Sequence, residues 1–545
     1  MIIESTLSSD KTEILINRYA SLLNNGIDAS KILVLVQNSK LKNEFIDKTL
    51  DKLEINCFEK LQVHSYFSLV YNAINDNWAF LENKNPFPNP KILPNLTGLE
   101  VSQFILKDIL KKIPFKGYNS KKSLMHQLFR RYSLIVQNNL SDEEIEYRTR
   151  ILQESFAQDA KQALKNLLKQ TLYLRDFDYL RQGLVFEHIY KNTNYFKNIE
   201  YLILDDGDEI TPACYSFIEY LRPQLKDWAI AFDKKGASRI GYLSADRTAV
   251  WEFENLFNET VKTIDTKTKL KFDAENLYNN ITKNENNLLE NFSMQSPSKR
   301  SKMIELAGKK INELLSDNVL PSEISIITPV IDEMLKFTLP EILTAKTRLK
   351  YLTGSEKLIQ NKLVLGCLNI LILNTILKED LTEFDIRSVL LNFLHIPLKY
   401  CREILNQFEK TKTLIPYEFE NAEYTAKYQK LIDVINNVLP SNEKLSEQVY
   451  EIYSSLTSFT TYEPNEIIKF NFFIKQLEDF EKVYGEEFKK RKEEIITQLE
   501  NSIISENPYS VTEINSDEIV IGTPQKIIDN QIRTKYQVWL DISSQ

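Results

Sequence analysis

The chain has 545 residues, of which 43% are hydrophobic and 26% are charged, which is an ordinary composition for a globular protein. This length is enough for the hydrophobic cores of about three or four domains. The formal net charge of −8 excludes a uniformly basic nucleic-acid-binding coat but not a local basic groove. The four cysteines and four histidines are too scattered for a zinc or iron–sulfur site, and so few cysteines indicate reduced thiols. No signal peptide and no membrane-spanning apolar run is found, so we expect a cytoplasmic protein without a membrane partner.

The first 79 residues alternate apolar strands with helices. A strand stub at residues 2–3 is followed by a polar loop, an amphipathic helix, a continuously apolar strand at Ile32–Val36 and a third strand near Leu61–Val63. Such alternation is typical of a parallel sheet covered by helices on both faces. The loop Ser5–Thr12 would then lie at the carboxyl edge of the sheet, where ligands bind.

From about Trp78 the pattern changes to a Pro/Asn-rich connector and then to helical periodicity as far as Tyr195, with no strand predicted within it. Strands resume at Tyr201–Leu204 and at Trp228–Asp233. The polar, Asn-rich segment from Glu252 to about Ser298 is interpreted as a linker or domain boundary.

A second α/β pattern follows this segment. It has a strand at Ile324–Val330, a short strand in RLKYLTG, a helical stretch from about Leu363 to Glu506, and two closing strands in EIVIGTPQKI and YQVWLDIS. The chain stops shortly after the last of these, which leads us to expect that more chain once followed.

The segment Tyr201–Pro212, YLILDDGDEITP, is the most informative stretch. An apolar strand ends there in four acids within five residues, namely Asp205, Asp206, Asp208 and Glu209. A nucleotide-hydrolysing site needs a first carboxylate to hold Mg²⁺ and a second to orient the attacking water. The alternative is a buried strand followed by an acidic, solvated turn.

The order of these pieces resembles the UvrD/Rep type of superfamily 1 DNA helicase. The resemblance implies an α/β protein with two RecA-like P-loop NTPase domains, each with a parallel sheet and a large helical insertion. The first domain would comprise residues 1–79 and 196–283 around an insertion at 80–195. The second would comprise residues 284–365 and 507–545 around an insertion at 366–506.

The resemblance also implies roles for individual residues. The phosphate loop falls on Ser5 to Thr12, so that Ser9, Asp10, Lys11 and Thr12 would bind ATP, with Lys11 on the β- and γ-phosphates. Thr12 and Asp205 would hold Mg²⁺. Asp205 and Asp206 would be the catalytic acids, with Asp206 in place of the usual glutamate. Ser65, Tyr66 and Phe67 match a motif that touches single-stranded DNA.

The sequence departs from the family pattern at positions that the family uses for ATP hydrolysis. Asp10 replaces the last glycine of the phosphate loop, and Ala237 replaces the glutamine that senses the γ-phosphate. Leu243 replaces an arginine, and Pro329 replaces an arginine finger. The second arginine-finger motif has no counterpart. Loss of one arginine finger slows hydrolysis by about 10³–10⁵-fold. We therefore expect a helicase fold that is no longer driven by ATP hydrolysis.

Three functions remain open on these grounds. The first is an inactivated, helicase-related scaffold protein of DNA repair or recombination. It would bind single-stranded or partly duplex DNA, and its protein partner would be a nuclease or a second helicase subunit. The second is a divergent but active ATP-dependent DNA helicase or translocase that uses ATP and Mg²⁺. The third is a protein that retains only the helicase fold and serves as a protein-interaction platform.

Each motif also has a structural alternative. Lys11 and Thr12 fit a solvated helix N-terminus, with Ser9 or Asp10 as its N-cap. The aromatic residues from Tyr66 to Trp78 fit a helix that faces the core. The basic run at residues 489–492 fits a solvated helix face.

Overall fold

The computed structural model describes most of the α/β part of the chain and of the second helical segment. The described residues are 1–5, 11–54, 60–78, 95–97, 99–112, 127–128, 137–138, 143, 162, 176–178, 182–233, 236, 249–264, 269–343, 347–352, 356–441, 444–457, 464–501, 503–504, 514–530 and 532–541.

The described strands, in chain order, are β1 Ile2–Ser5, β2 Ile32–Val36, β3 Val63–Ser65, β4 Asn95–Thr97, β5 Asp176–Asp178, β6 Tyr201–Leu204, β7 Asp227–Asp233, β8 Val261–Ile264, β9 Ile324–Ile327, β10 Arg348–Leu352, β11 Glu356–Lys357, β12 Ile503–Ile504, β13 Glu518–Gly522 and β14 Tyr536–Trp539.

The described α-helices are α1 Lys11–Asn24, α2 Ser39–Leu50, α3 Tyr66–Asn77, α4 Leu99–Lys112, α5 Gln182–Asn192, α6 Pro212–Leu221, α7 Ala249–Phe257, α8 Lys269–Lys283, α9 Arg300–Ser316, α10 Glu333–Ile342, α11 Lys362–Leu373, α12 Glu383–Ser388, α13 Leu398–Thr411, α14 Ala422–Asp433, α15 Leu445–Leu456, α16 Pro464–Tyr484, α17 Lys492–Glu500 and α18 Pro524–Asp529.

The first sheet has six parallel strands in the order β3-β2-β6-β7-β1-β8. The register places Ile2 of β1 opposite Ile230 of β7 on one side and Val261 of β8 on the other. Because every strand runs the same way, all carboxyl ends meet at one edge. The expected parallel α/β arrangement is confirmed for this part of the chain.

Helices cover both faces of this sheet, as continuously apolar strands require. Alternate strand residues point to opposite faces, so that Ile3 packs with α1 and α2 while Ile2 packs on the other side. That other side is covered by α3, α5, α6 and α7, whose buried aromatic residues include Phe186 and Phe217.

The second sheet has four parallel strands in the order β10-β13-β9-β14. Buried residues of α9 and α10, such as Ile304 and Leu335, pack against one face of this sheet. A smaller cluster around Val520 and Ile527 covers the other face. The four strands predicted for this half of the chain are present, although β9 ends at Ile327, earlier than the predicted Val330.

Some sequence-based predictions about elements are wrong. The stretch predicted to be helical from about Leu363 to Glu506 contains the two-residue strand β12. The segment from Glu252 to Ser298, predicted to be a linker or domain boundary, is without helix or strand from residue 284 onward. Before that it contains α8 and the strand β8, which pairs with β1 as an edge strand of the first sheet. The first predicted helical stretch contains β5, which pairs with β4. Strands β5 and β8 are only three or four residues long, and the middle of β8, Lys262 and Thr263, is exposed, so neither gives a continuous apolar run.

One described helix of the first predicted insertion, α4, shares a hydrophobic core with helices of the second, whereas α5 packs against the first sheet. Residues of α4, including Phe104 and Leu110, belong to the same buried cluster as α11, α15 and α16. The nearly all-apolar helix α11 lies at the centre of that cluster and is buried almost all round, as a helix without a polar face must be.

An arginine also joins the two insertions. The guanidinium of Arg491 bonds both carboxylate oxygens of Asp108 and lies 4.4 Å from the Phe104 ring centroid and 4.9 Å from that of Tyr484. Arg491 belongs to the basic run at 489–492, so for this residue the structure gives a structural role rather than a solvated one.

We predict that Arg491→Met lowers the free energy of unfolding by about 2 kcal/mol, because a half-buried, charge-assisted pair is lost. Lys111→Met is the matched control, since Lys111 pairs with the same partners, Asp108 and Glu494, but is exposed. The control is expected to stay within about 0.5 kcal/mol of the wild type. Urea denaturation measures both variants, and equal losses would contradict the assigned role of Arg491.

Candidate functional site

The candidate site lies at the carboxyl edge of the first sheet, where β1 and β6 end. Lys11 and Thr12 open α1 just after β1, and Asp205 directly follows β6. The backbone N–H of Asp205 donates to the carbonyl of Leu35 at 2.9 Å, which continues the β2–β6 ladder by one residue. Asp205 is therefore fixed at the end of the strand.

Two short contacts join the start of α1 to the end of β6. The Thr12 hydroxyl donates to Oδ2 of Asp205 at 2.7 Å. The Lys11 ammonium lies 2.7 Å from Oδ1 of Asp206. The structure thus brings together four of the residues that the sequence predicts for nucleotide and metal binding, although 193 positions separate Thr12 from Asp205.

Asp206 has a left-handed backbone conformation, with φ 52° and ψ 50°. Few residues other than glycine adopt it, and aspartate and asparagine do so most readily. Its N–H donates to Oδ1 of Asp205 at 3.0 Å. This turn directs the two successive carboxylates to Thr12 and to Lys11. Downstream, Thr211 caps α6 and Pro212 occupies its first turn, which sets where the acidic loop ends.

Asp208 has a structural part in the same loop. Its Oδ1 accepts the backbone N–H of Asp233, at the end of β7, at 2.8 Å. A Cβ at Gly236 would lie 1.7 Å from Oδ2 of Asp208, so a larger residue at this position would require the carboxylate to move. The sequence marked Asp208 as one of four clustered acids but gave no sign that it joins β6 to β7.

Among the described residues of the site, buried carboxylates outnumber buried ammonium groups. Asp205, Asp206 and Asp208 are all buried near the Lys11 ammonium. Burial, together with the charge of Asp206, raises the pKa of Asp205 to about 7, although Lys11 and the Thr12 hydrogen bond oppose the shift. Burial would lower the pKa of Lys11, but the charges of Asp206, Asp208 and Asp205 raise it above its ordinary value. Lys11 is therefore a permanent cation.

The donor set fits Mg²⁺ and phosphate. Thr12 and Asp205 supply a hydroxyl and a carboxylate, the oxygen ligands that Mg²⁺ prefers, and Lys11 supplies one cation for phosphate. Among the described residues no group of three or more His, Cys, Asp or Glu side chains could hold a metal ion unaided. Mg²⁺ in nucleotide sites needs only one or two protein ligands, because phosphates and waters complete its shell.

The other predicted nucleotide-site positions are less informative. Ser9 and Asp10, like Ala237 and Leu243, lie outside the described residues. Pro329 is exposed just beyond β9.

An arginine that the sequence did not single out, Arg300, lies at the carboxyl edge of the second sheet. It bonds Asp332 at 2.7 Å and the Val330 carbonyl at 3.0 Å, and it also pairs with Asp541. Its partners come from segments far apart in the sequence, so no local pattern could reveal it.

The predicted DNA-contacting residues have structural contacts. Ser65 is buried and caps α3 by accepting the N–H of Ser68 at 3.2 Å. The Tyr66 ring packs edge-on against Phe186 with centroids 5.8 Å apart. Phe67 is half-buried, and Tyr71, one helical turn further on, is 44% exposed. The exposed aromatic surface of α3 is therefore at Phe67 and Tyr71.

No protein-family model matches the chain, and no curated protein matches it. Among the helices of the described residues, none is both long and apolar enough to cross a membrane. The geometry of the site is therefore the basis on which a function can be proposed.

We predict that Lys11→Met lowers the free energy of unfolding by about 3 kcal/mol, because it leaves the buried Asp206 without its cation. The side chains of Lys11 and Asp206 are only 13% and 9% exposed. Lys52→Met removes the exposed pair with Glu13 and is expected to cost under about 1 kcal/mol. In a double-mutant cycle, Asp206→Asn should recover most of the loss in Lys11→Met, and strict additivity would contradict the pairing.

Asp205 should also make stability depend on pH. Because its folded-state pKa of about 7 lies above the ordinary 3.8, the folded chain keeps a proton that the unfolded chain has lost. Stability therefore falls as the pH rises from about 4 to about 7. Between about pH 5.5 and pH 8, the wild type should lose about 2 kcal/mol more than Asp205→Asn, at about 1.4 kcal/mol per pH unit. Urea midpoints at both pH values test this, and parallel profiles would contradict it.

Proposed function

We propose that the chain is a helicase-related, DNA-binding protein of the UvrD/Rep kind, with a nucleotide site that favours binding over turnover. One observation carries the proposal. Lys11 and Thr12 of the β1–α1 segment meet Asp205 and Asp206 of the β6 end at 2.7 Å, which is the pairing of phosphate-binding and metal-binding groups that such a site requires.

The strand order supports two RecA-like units. In the first sheet β2 and β3, which follow β1 in the sequence, lie on one side of it, and β8 lies on the other. The direction in which the chain adds strands therefore reverses at β1. Ligands of open α/β sheets bind at the carboxyl edge beside such a reversal. The second, four-stranded parallel sheet fits the second unit, and the helices between β10 and β13 fit its insertion.

With nucleotide bound, Thr12 and Asp205 would hold Mg²⁺, and Lys11 would contact phosphate oxygens. The metal would neutralise phosphate charge and orient the phosphate chain. For this chain's own residues the consequence is electrostatic. A cation beside Asp205 would favour its ionised form and offset the surplus of buried negative charge.

The described residues at the carboxyl edge of the second sheet do not favour ATP turnover. Arg300, at its carboxyl edge, is engaged by Asp332 and Asp541, and Pro329 stands where the family carries an arginine finger. An arginine already paired with two carboxylates offers little charge to a transferring phosphoryl group. These features favour a binding protein with slow hydrolysis.

The contacts between the halves of the chain also favour a static binder. The Lys40 ammonium, at the start of α2, donates to the Asn530 carbonyl, at the end of α18, at 2.9 Å. Helix α4 of the first predicted insertion shares one core with helices of the second. A translocating motor would need its α/β units to open and close, which these links restrain.

The alternative is a divergent, active ATP-dependent helicase or translocase. The observation in its favour is that the lysine, the threonine and the acidic pair are all retained and in contact. Measurement of phosphate release with and without single-stranded DNA separates the two functions.

For the proposed function we expect Mg²⁺-dependent nucleotide binding that is lost in Lys11→Ala, binding of a single-stranded oligonucleotide at low salt, and little phosphate release. Isothermal titration calorimetry, fluorescence anisotropy and a phosphate assay measure these. DNA-stimulated release at about 1 s⁻¹ or faster would favour the active helicase instead. Absence of DNA binding at low salt would leave the protein-interaction platform.

We predict that Tyr71→Ala weakens binding of single-stranded DNA about tenfold, because it removes the exposed ring of α3 on which a base could stack. Tyr450→Ala is the matched control, since Tyr450 is also an exposed helical tyrosine but lies on α15. Fluorescence anisotropy measures the affinities, and thermal melts check that both variants are folded. Equal affinities for the two variants would exclude the α3 surface.

A further inference from the structure

The contact between Lys11 and Asp206 raises a question about the resting state of the site. Lys11 is the cation that would bind phosphate, yet its ammonium already lies 2.7 Å from a buried carboxylate. Both side chains are mostly shielded from water, so the attraction is weakly screened. A phosphate group can reach Lys11 only by sharing or displacing this carboxylate.

We propose that Asp206 is an intramolecular competitor of phosphate, which holds Lys11 in a closed resting state and sets the affinity of the site for nucleoside di- and triphosphates. The inference rests on the proposed function, because it assumes that phosphate binds at Lys11. It adds a role for Asp206 that differs from orienting water, since it acts before any chemistry and on ADP as much as on ATP.

The backbone supports this role. Asp206 has the left-handed conformation that aims its carboxylate across the site, while Asp205, one residue earlier, is held by Thr12. The two acids therefore have separate partners. Removal of the Asp206 charge leaves the Thr12–Asp205 pair in place and takes away one of the negative charges that an incoming phosphate would meet.

Asp206→Asn is the most informative variant. Asparagine has the same shape and tolerates the left-handed region, so the turn is preserved while the charge is lost. Asp206→Gly is a second variant that relieves the backbone and removes the side chain altogether. Glu209→Gln is the matched control, because it removes one negative charge from the same loop at a partly exposed position.

The test is titration of the full chain with ADP and with inorganic tripolyphosphate, both with Mg²⁺, by isothermal titration calorimetry. Neither a hydrolysis step nor a trapped ATP state affects the ADP result. We expect Asp206→Asn and Asp206→Gly to bind at least about tenfold more tightly than the wild type, and Glu209→Gln to change affinity less than about twofold. Combination with Lys11→Met should abolish the gain.

A second measurement does not depend on nucleotide. Acetylation of Lys11 by acetic anhydride, followed by mass spectrometry, reports how firmly its ammonium is held. In Asp206→Asn and Asp206→Gly, Lys11 should react several-fold faster than in the wild type, while Lys52 should be unchanged. Unchanged reactivity of Lys11 in both variants would overturn the inference.

The outcomes also separate the inference from the proposed function. If the wild type binds ADP and the folded Asp206 variants bind it equally or more weakly, the inference fails and the nucleotide site stands. If neither the wild type nor any variant binds ADP or tripolyphosphate, both fail. Tighter binding that persists in the Lys11→Met double variants would also overturn the inference, because the gain would not pass through Lys11.

Discussion

The site depends on one electrostatic constraint, which is that, in the part of the chain that the structure describes, three buried carboxylates lie around the buried Lys11 ammonium. Asp206 holds Lys11, Asp208 binds the end of β7, and Asp205 receives the Thr12 hydroxyl while its pKa is raised to about 7. Such a surplus of negative charge is stabilised only by a proton, by a cation or by structure that over-determines it. The parallel sheet supplies that structure, because it fixes the ends of β1, β6 and β7 at one edge.

The same constraint links binding to turnover. A bound cation would relieve this negative charge and would offset the charge of an incoming phosphate chain, whereas fast hydrolysis needs an additional mobile positive group. The arginine described at the carboxyl edge of the second sheet, Arg300, is held by acids of its own. The core that α4 shares with the second insertion and the Lys40–Asn530 contact are further links between the two halves of the chain. These features support the proposal of binding without efficient turnover.

The sequence predicted those parts of the fold that have a strong local pattern. Continuous apolar runs such as Ile32–Val36 identify buried parallel strands, and the polar residues after them identify the carboxyl edge. The strand β8 was missed because its middle is exposed, so it lacks an apolar run. The likeness to helicases predicted that Lys11, Thr12, Asp205 and Asp206 meet. It could not predict the left-handed turn at Asp206 or the partners of Asp208 and Arg300, because these depend on contacts between distant segments.

The most direct test of the account is a crystal structure of the full chain grown with ADP and Mn²⁺, whose anomalous signal marks the metal. We predict phosphate oxygens within hydrogen-bond distance of the Lys11 ammonium, Mn²⁺ bound by Thr12 and Asp205, and Asp206 moved away from Lys11. Nucleotide bound elsewhere, with Lys11 still paired to Asp206 and no metal at Asp205, would contradict it.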